Sequence, residues 1–429
     1  MNVFPRCVVF WLAVSPVATW AEGNYGSVPI DEDEQHLIDS SNELEGYFAS
    51  HSLIYGNEPV VTLVRRIGNE LAPAATDDYI DYEFFVLRDP SPNAFALPNG
   101  HVYIQTGMLA RLQDEAQLAA LLAHEINHVA GHHGILGYRS AKAKTIAGMV
   151  LGGLGGWGSV ISIGLQASVF GFSRDLEQEA DDHAVPLLLA SPYDPHALPE
   201  VFDILGQDYE GLYPRNQSIW STHPEIRARA QTSRALVADL PRGQRYAEQF
   251  ERLVFPLRVL TIQDYIQDDY PHTAVALAGT MVERFPDEPR LLQVLGDAWQ
   301  AMGAQSLHDP EELSNADKRR NQRSRVRRTR EQRLAELLET EEGRTAYVAN
   351  LTRAEEIYLR ALEMDADFAL AHRGLGEVYE QLDRDREAAQ AYLRYLRLAP
   401  DAADRAIIVD RLRVLAEQLK QQENGNGDA

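Results

Sequence analysis

His124, Glu125 and His128 are the residues of this chain best placed to do chemistry. They form the run His-Glu-Ile-Asn-His, two imidazoles four residues apart with a carboxylate beside the first. On a helix, positions i and i+4 lie one above the other, so both rings can reach a single ion. Glu125 can then take a proton from a water that such an ion activates. The pattern points to a zinc hydrolase with one zinc per chain. Two histidines do not complete a catalytic zinc site, which needs a third protein ligand and an open position.

Three sources for that third ligand can be weighed. A third histidine on the spacing HExxHxxGxxH fails, because Gly131 fits its glycine but the last position is Gly134. His132 and His133 follow closely, but His132 sits a full turn beyond His128, too far along to share the ion. The remaining source is a carboxylate from a later helix, and the run Glu177 to Asp181 (EQEAD) offers one.

These groups need elements to hold them. Tyr82 to Leu87 (YEFFVL) reads as a strand. Asn93–Leu97 and His101–Thr106 read as a strand pair turning at Pro98-Asn99-Gly100. Asp114 can cap the helix that carries His124 and His128. Ser173–Leu189 reads as a second helix, kinked near its end by Pro186. Upstream, Asp39 to Leu71 has a helical apolar pattern, and Glu22 to about Ser41 is polar and poorly ordered at its start. Thr145 to Phe172 is apolar and rich in glycine. Gly-Gly pairs would break a spanning helix, so two short helices with a glycine link are expected, able to cover the cleft.

The last third has another rhythm. Leu295-Gly296-Asp297-Ala298-Trp299 and Leu375-Gly376-Glu377-Val378-Tyr379 share one pattern. Ala388, Tyr392 and Pro400 follow the second copy at the offsets of a 34-residue tetratricopeptide repeat, and Ala354 and Tyr358 precede it in register. Such helix pairs stack into a solenoid because none buries its apolar face alone. The register breaks between Gly303 and Asn350, a basic insertion that includes Lys318-Arg319-Arg320 and Arg327-Arg328. That run can pair with nearby glutamates or make peripheral contact with an anionic membrane surface. The expected order is a signal peptide at 1–21, a metallopeptidase domain at 22–235, a repeat domain at 236–420 with the insertion at about 304–350, and a polar tail at 421–429. The expected fold class is mostly α with a small β-sheet: an α+β protease domain followed by an α-helical tetratricopeptide-repeat solenoid.

Composition narrows the class. The chain has 429 residues, 45% hydrophobic and 24% charged, with a formal net charge of −24. That balance is globular and argues against nucleic acid as a partner, because phosphate would be repelled. Arg6, the apolar run Cys7–Val14, and Thr19 and Ala21 resemble a secretory signal cleaved after Ala21. Cys7 is the single cysteine, so the mature chain would have no thiol for a disulfide, a nucleophile or a ligand. Export to the periplasm is the compartment that fits.

HExxH, then E-x-x-A-D on a later helix, then H-P-x-x-x-x-R resembles the zinc metallopeptidase family of HtpX and the CAAX prenyl endopeptidases. The resemblance implies a gluzincin: His124, His128 and Glu177 as zinc ligands, Glu125 as general base, and Asp181 orienting a ligand histidine. Glu177 holds the first place of E-x-x-A-D, which sets it before Glu179. His223 and Arg229 match the last element. They are expected to stabilise the tetrahedral intermediate, or His223 to act as a fourth zinc ligand that keeps the site latent. Asn93–Gly107 resembles the family's edge strands, which can pair with extended substrates. The order of signal, protease and repeats also resembles envelope proteases that act on outer-membrane β-barrel proteins. That implies substrates among misassembled or stalled barrel proteins, with the repeats docking to the outer-membrane assembly machinery. The alternative is mainly a chaperone or scaffold with a latent zinc site.

Overall fold

The structure, a computed structural model, describes residues 31–72, 80–140, 142, 172–207, 225–303 and 330–425. The signal segment, His223, most of the glycine-rich stretch and the basic run at 304–329 lie outside the described residues. The described chain is mostly helical with one small sheet.

Helix α1 spans Glu32–Ser50 and α2 spans Glu58–Leu71. The helical pattern expected from Asp39 to Leu71 is interrupted between them, and helix begins earlier, at Glu32. Asp31 caps α1 by accepting from Glu34 N at 3.0 Å. The break has a physical reason: Leu53–Tyr55 is extended and pairs with the sheet. Tyr55 N donates to Val86 O, and Arg88 N donates to Leu53 O, each at 2.8 Å.

Strands β1 (Glu83–Leu87), β2 (Ala94–Ala96) and β3 (His101–Gln105) form a sheet ordered β1-β3-β2. β1 runs parallel to β3, and β2 runs antiparallel to it as the expected pair. Gly100 makes the turn with φ +93°, the region glycine tolerates best. The outer side of β1 is covered by Leu53–Tyr55, so β2 is the edge without a neighbouring strand among the described residues.

α3 (Thr106–Arg111) follows β3, and α4 (Glu115–Ala130) carries HExxH. Asp114 caps α4 as expected, accepting from Gln117 N at 2.9 Å. Every residue of α4 is buried. An amphipathic helix shows one polar face to water; α4 shows none because α2, the sheet and later helices surround it. α5 (Arg174–Leu189) includes Pro186, followed by α6 (Ala197–Gln207) and α7 (Ile226–Val237). These elements share one apolar core running from Val60 to Leu257.

α8 (Ala247–Gln267) gives Phe250, Val254 and Leu257 to that core, then Val259, Ile262 and Tyr265 to a second one. The second core joins α9 (Pro271–Arg284), α10 (Pro289–Met302), α12 (Glu341–Met364) and α13 (Ala369–Gln381). Short α11 (Arg330–Glu339) leads into α12, so the stretch expected as an insertion is helical from 330 onward. α14 (Asp385–Leu398) and α15 (Arg405–Gly425) build a third cluster, and α15 extends into the expected tail. The two Leu-Gly motifs lie on α10 and α13. Tyr358 fills the space that Gly296 and Gly374 leave, and Tyr392 packs on Gly376. Among the described residues no helix is long and apolar enough to cross a membrane.

Candidate metal centre

α4 and α5 pack side by side, and their facing residues form the site. His124 and His128, one turn apart on α4, both turn Nε2 toward the same point. The two Nε2 atoms are 3.0 Å apart. Glu177, on the first turn of α5, places Oε2 3.6 Å from His124 Nε2 and Oε1 3.5 Å from His128 Nε2. Among the described residues this is the one group of three His, Cys, Asp or Glu side chains whose ligand atoms gather, all within 4.8 Å. Tetrahedral coordination at bond lengths of about 2.0–2.1 Å needs donor atoms roughly 3.3–3.4 Å apart. Edges of 3.0, 3.5 and 3.6 Å bracket that spacing. One ion can therefore touch all three residues.

The outer nitrogens are held too. His124 Nδ1 donates to Asp181 Oδ1 at 2.9 Å, which leaves Nε2 as the ligand atom. His128 Nδ1 lies 2.8 Å from His133 Nδ1, a hydrogen bond in which one ring donates and the other accepts. Phe172 stacks on His128 with ring centroids 4.0 Å apart. His133 is buried, and that burial together with nearby His124 lowers its pKa to about 4, so it is neutral at pH 7. Its bond to His128 could not be read from the sequence, where His133 is one more histidine after the motif.

Arg229 enters from α7. Its Nε donates to Asp181 Oδ2 at 2.8 Å and its Nη2 to Asp181 Oδ1 at 2.7 Å, while Nη1 contacts Glu177. The guanidinium lies over the Phe202 ring, 4.4 Å from its centroid. Burial alone would raise the pKa of Asp181; the hydrogen bonds from Arg229 and His124 outweigh it and hold the carboxyl below its ordinary range. Burial alone would lower Arg229, but Asp181, Glu177 and Glu125 raise it. Glu125 is fully buried on α4 within reach of that charge. Glu179 is 43% exposed and faces His133 rather than the histidine pair.

A recess of about 20 Å³ opens beside His128, room for about one water. Ala96, Leu97 and Pro98 at the end of β2 line it, as do Ile135 and Phe172. α1 closes another side: Glu34 reaches the recess and lies 3.2 Å from His132 Nδ1. The edge strand thus ends next to one of the gathered histidines.

Residues 62–237 match peptidase family M48. The M48 segment contains His124, Glu125, His128, Glu177, Asp181 and Arg229. Its relatives carry protease names. The chain is 27% identical over 199 residues to the putative beta-barrel assembly-enhancing protease of Vibrio cholerae serotype O1, covering 43% of this chain and 41% of that one. It is 30% identical over 195 residues to the beta-barrel assembly-enhancing protease of Yersinia pestis, covering 41% and 38%. It is also 27% identical over 210 residues to the mitochondrial metalloendopeptidase OMA1 of Schizosaccharomyces pombe, covering 48% and 61%. The chain therefore spans between 38% and 61% of these relatives' lengths. The match and the relatives' names support the metallopeptidase expected from the motif.

Proposed function

We propose that this protein is a zinc-dependent endopeptidase whose ligands are His124, His128 and Glu177. The observation that carries this reading is the convergence of two imidazole nitrogens and one carboxylate at tetrahedral spacing. A donor set of two nitrogens and one oxygen suits zinc, as does the HExxH helix that supplies it. When bound, zinc supplies a Lewis acid and a water of lowered pKa. Glu125 takes the proton from the attacking water and delivers it to the leaving amine. Asp181 and His133 hold the two rings in register. Arg229, with two donors on Asp181 and an ion pair to Glu177, keeps both carboxylates in place. An extended chain pairing with β2 would bring its peptide bond past the recess beside His128. His223 keeps the two roles the sequence gives it, oxyanion donor or fourth ligand. Faster cleavage by His223→Ala would select the second.

The substrates we infer are misassembled or stalled outer-membrane β-barrel proteins, and the compartment is the periplasm. The names of the Vibrio and Yersinia relatives support this reading, as does the signal-like N-terminus. The helix pairs after α8, with their Leu-Gly motifs, serve as tetratricopeptide repeats that dock the enzyme to the assembly machinery. The test is Glu125→Gln. Purified variant should keep its fold and its zinc but lose cleavage of an unfolded barrel protein. Undiminished cleavage would overturn the enzymatic reading. Restoration of an outer-membrane barrier by the inactive full-length chain would instead favour the scaffold reading.

A further inference from the structure

Arg258 lies in the middle of α8 and is fully buried. Its Nε donates to Ala110 O at 2.9 Å and its Nη2 to Leu112 O at 2.8 Å. These carbonyls end α3, where a helix has no partners of its own to offer. Only Gln113 then separates Leu112 from Asp114, the cap of α4. Two further arginines grip the same stretch. Arg245 Nε donates to Asp114 Oδ2 at 2.8 Å, and the Arg245 carbonyl accepts from Glu115 N at 3.0 Å. Arg284 Nη2 donates to Gln113 O at 3.3 Å. All three lie beyond residue 237, where the M48 match ends.

We propose that Arg258 is a positioning residue for the metal centre: it fixes the start of α4 to the helix from which the C-terminal helices are built. The proposal rests on the peptidase reading above. α8 divides its apolar side chains between two cores, so a shift of the C-terminal helices moves Arg258 with them. α4 passes that shift on as a rod. His124 lies ten residues after Asp114, about 15 Å along the axis. A tilt of about 4° at Asp114 displaces His124 by about 1 Å, and an error of that size costs on the order of 100-fold in rate. A buried arginine that only stabilises the fold would have no such directed effect.

The test uses the full chain with Arg258→Lys, Arg258→Met and Glu125→Gln. Lysine keeps the charge and reaches only one of the two carbonyls. Cleavage of casein is followed well below each melting temperature, and amide hydrogen exchange is read in the zinc-free protein. Arg258→Lys should lower kcat about 10–100-fold with little change in KM. Exchange should rise at residues 110–118 and stay unchanged elsewhere. Wild-type kcat together with unchanged exchange at 110–118 would overturn the proposal. So would a loss of protection spread evenly over the chain, which marks general destabilisation. If Arg258→Met does not fold, the lysine variant decides. If wild type and Glu125→Gln prove equally inert, the peptidase reading fails. The exchange measurement alone then decides whether Arg258 holds the start of α4.

Discussion

Arg229 grips Asp181 with two parallel hydrogen bonds, Nε to Oδ2 at 2.8 Å and Nη2 to Oδ1 at 2.7 Å. Both side chains are buried, so neither charge has water to fall back on. Arg229→Ala would leave Asp181 and Glu177 without their cation, a loss expected to cost about 3–5 kcal/mol. Arg229→Lys keeps the charge but not the planar fork, and should fall between. Denaturant midpoints of the zinc-free proteins measure both. A midpoint for Arg229→Ala equal to wild type would remove Arg229 from this role.

Metal should matter to stability as well as to cleavage. Glu177 and Asp181 are buried carboxylates that meet one guanidinium, Arg229, Glu125 is buried within reach of the same charge, and a bound cation offsets the remaining repulsion. Adding zinc to stripped protein should therefore raise the melting temperature. At a free concentration of 100 times Kd the gain is about 2.7 kcal/mol. His128→Ala should abolish this zinc-dependent shift, as read by scanning calorimetry.

A half-buried acid far from the metal centre gives a pH signature. Burial pushes Asp297 up to about 6 from 3.8, against the hydrogen bond donated by Tyr358 at 2.7 Å. The folded chain thus holds this proton more tightly than the unfolded one. The resulting stabilisation is complete below pH 3.8 and is lost as pH rises through about 6. Relative to Asp297→Asn, wild type should lose stability between these values and stay level above them. Urea melts of both proteins across that range check the sign. A parallel pair of curves would contradict it.

The repeat-like helices make a packing prediction. A Cβ on Gly296 would meet the Tyr358 ring at 2.5 Å, and one on Gly374 would press on the same ring. Gly296→Ala and Gly374→Ala should each destabilise by about 1–3 kcal/mol. In a Tyr358→Leu background both penalties should shrink, because the side chain they strike is smaller and can turn. Equal penalties in the two backgrounds would point to another source of strain.

Much of the site could be read from residue order, because its signals are local. Asp114 announces a helix start, Pro98-Asn99-Gly100 announces a turn, and the spacing of His124 and His128 fixes a shared face. The parts that could not be read depend on contacts between distant segments. Nothing near Leu53 says that it will leave its helical pattern to cover β1. Nothing near Arg258 says that it will find Ala110 and Leu112, since a lone arginine in a helix ordinarily faces water. Arg229 was recognisable by its place after His223, yet its bond to Asp181 forms across two helices. His133 is similar: its partner His128 is close in sequence, but the left-handed turn at His132, with φ +53°, is what brings the rings together.

β2 has only three residues, Ala94–Ala96, and its outer side is where a visiting strand would lie. A chain docked there can form only two or three backbone hydrogen bonds, each contributing about 1 kcal/mol net. Such a grip is too weak to pull a strand out of a completed structure. A closed barrel has no loose edge to offer, because every strand already has two neighbours. A stalled barrel protein still has one. Under the proposed function, the shortness of β2 would work as a sorting rule, in which a client is recognised by the backbone it has not yet managed to pair.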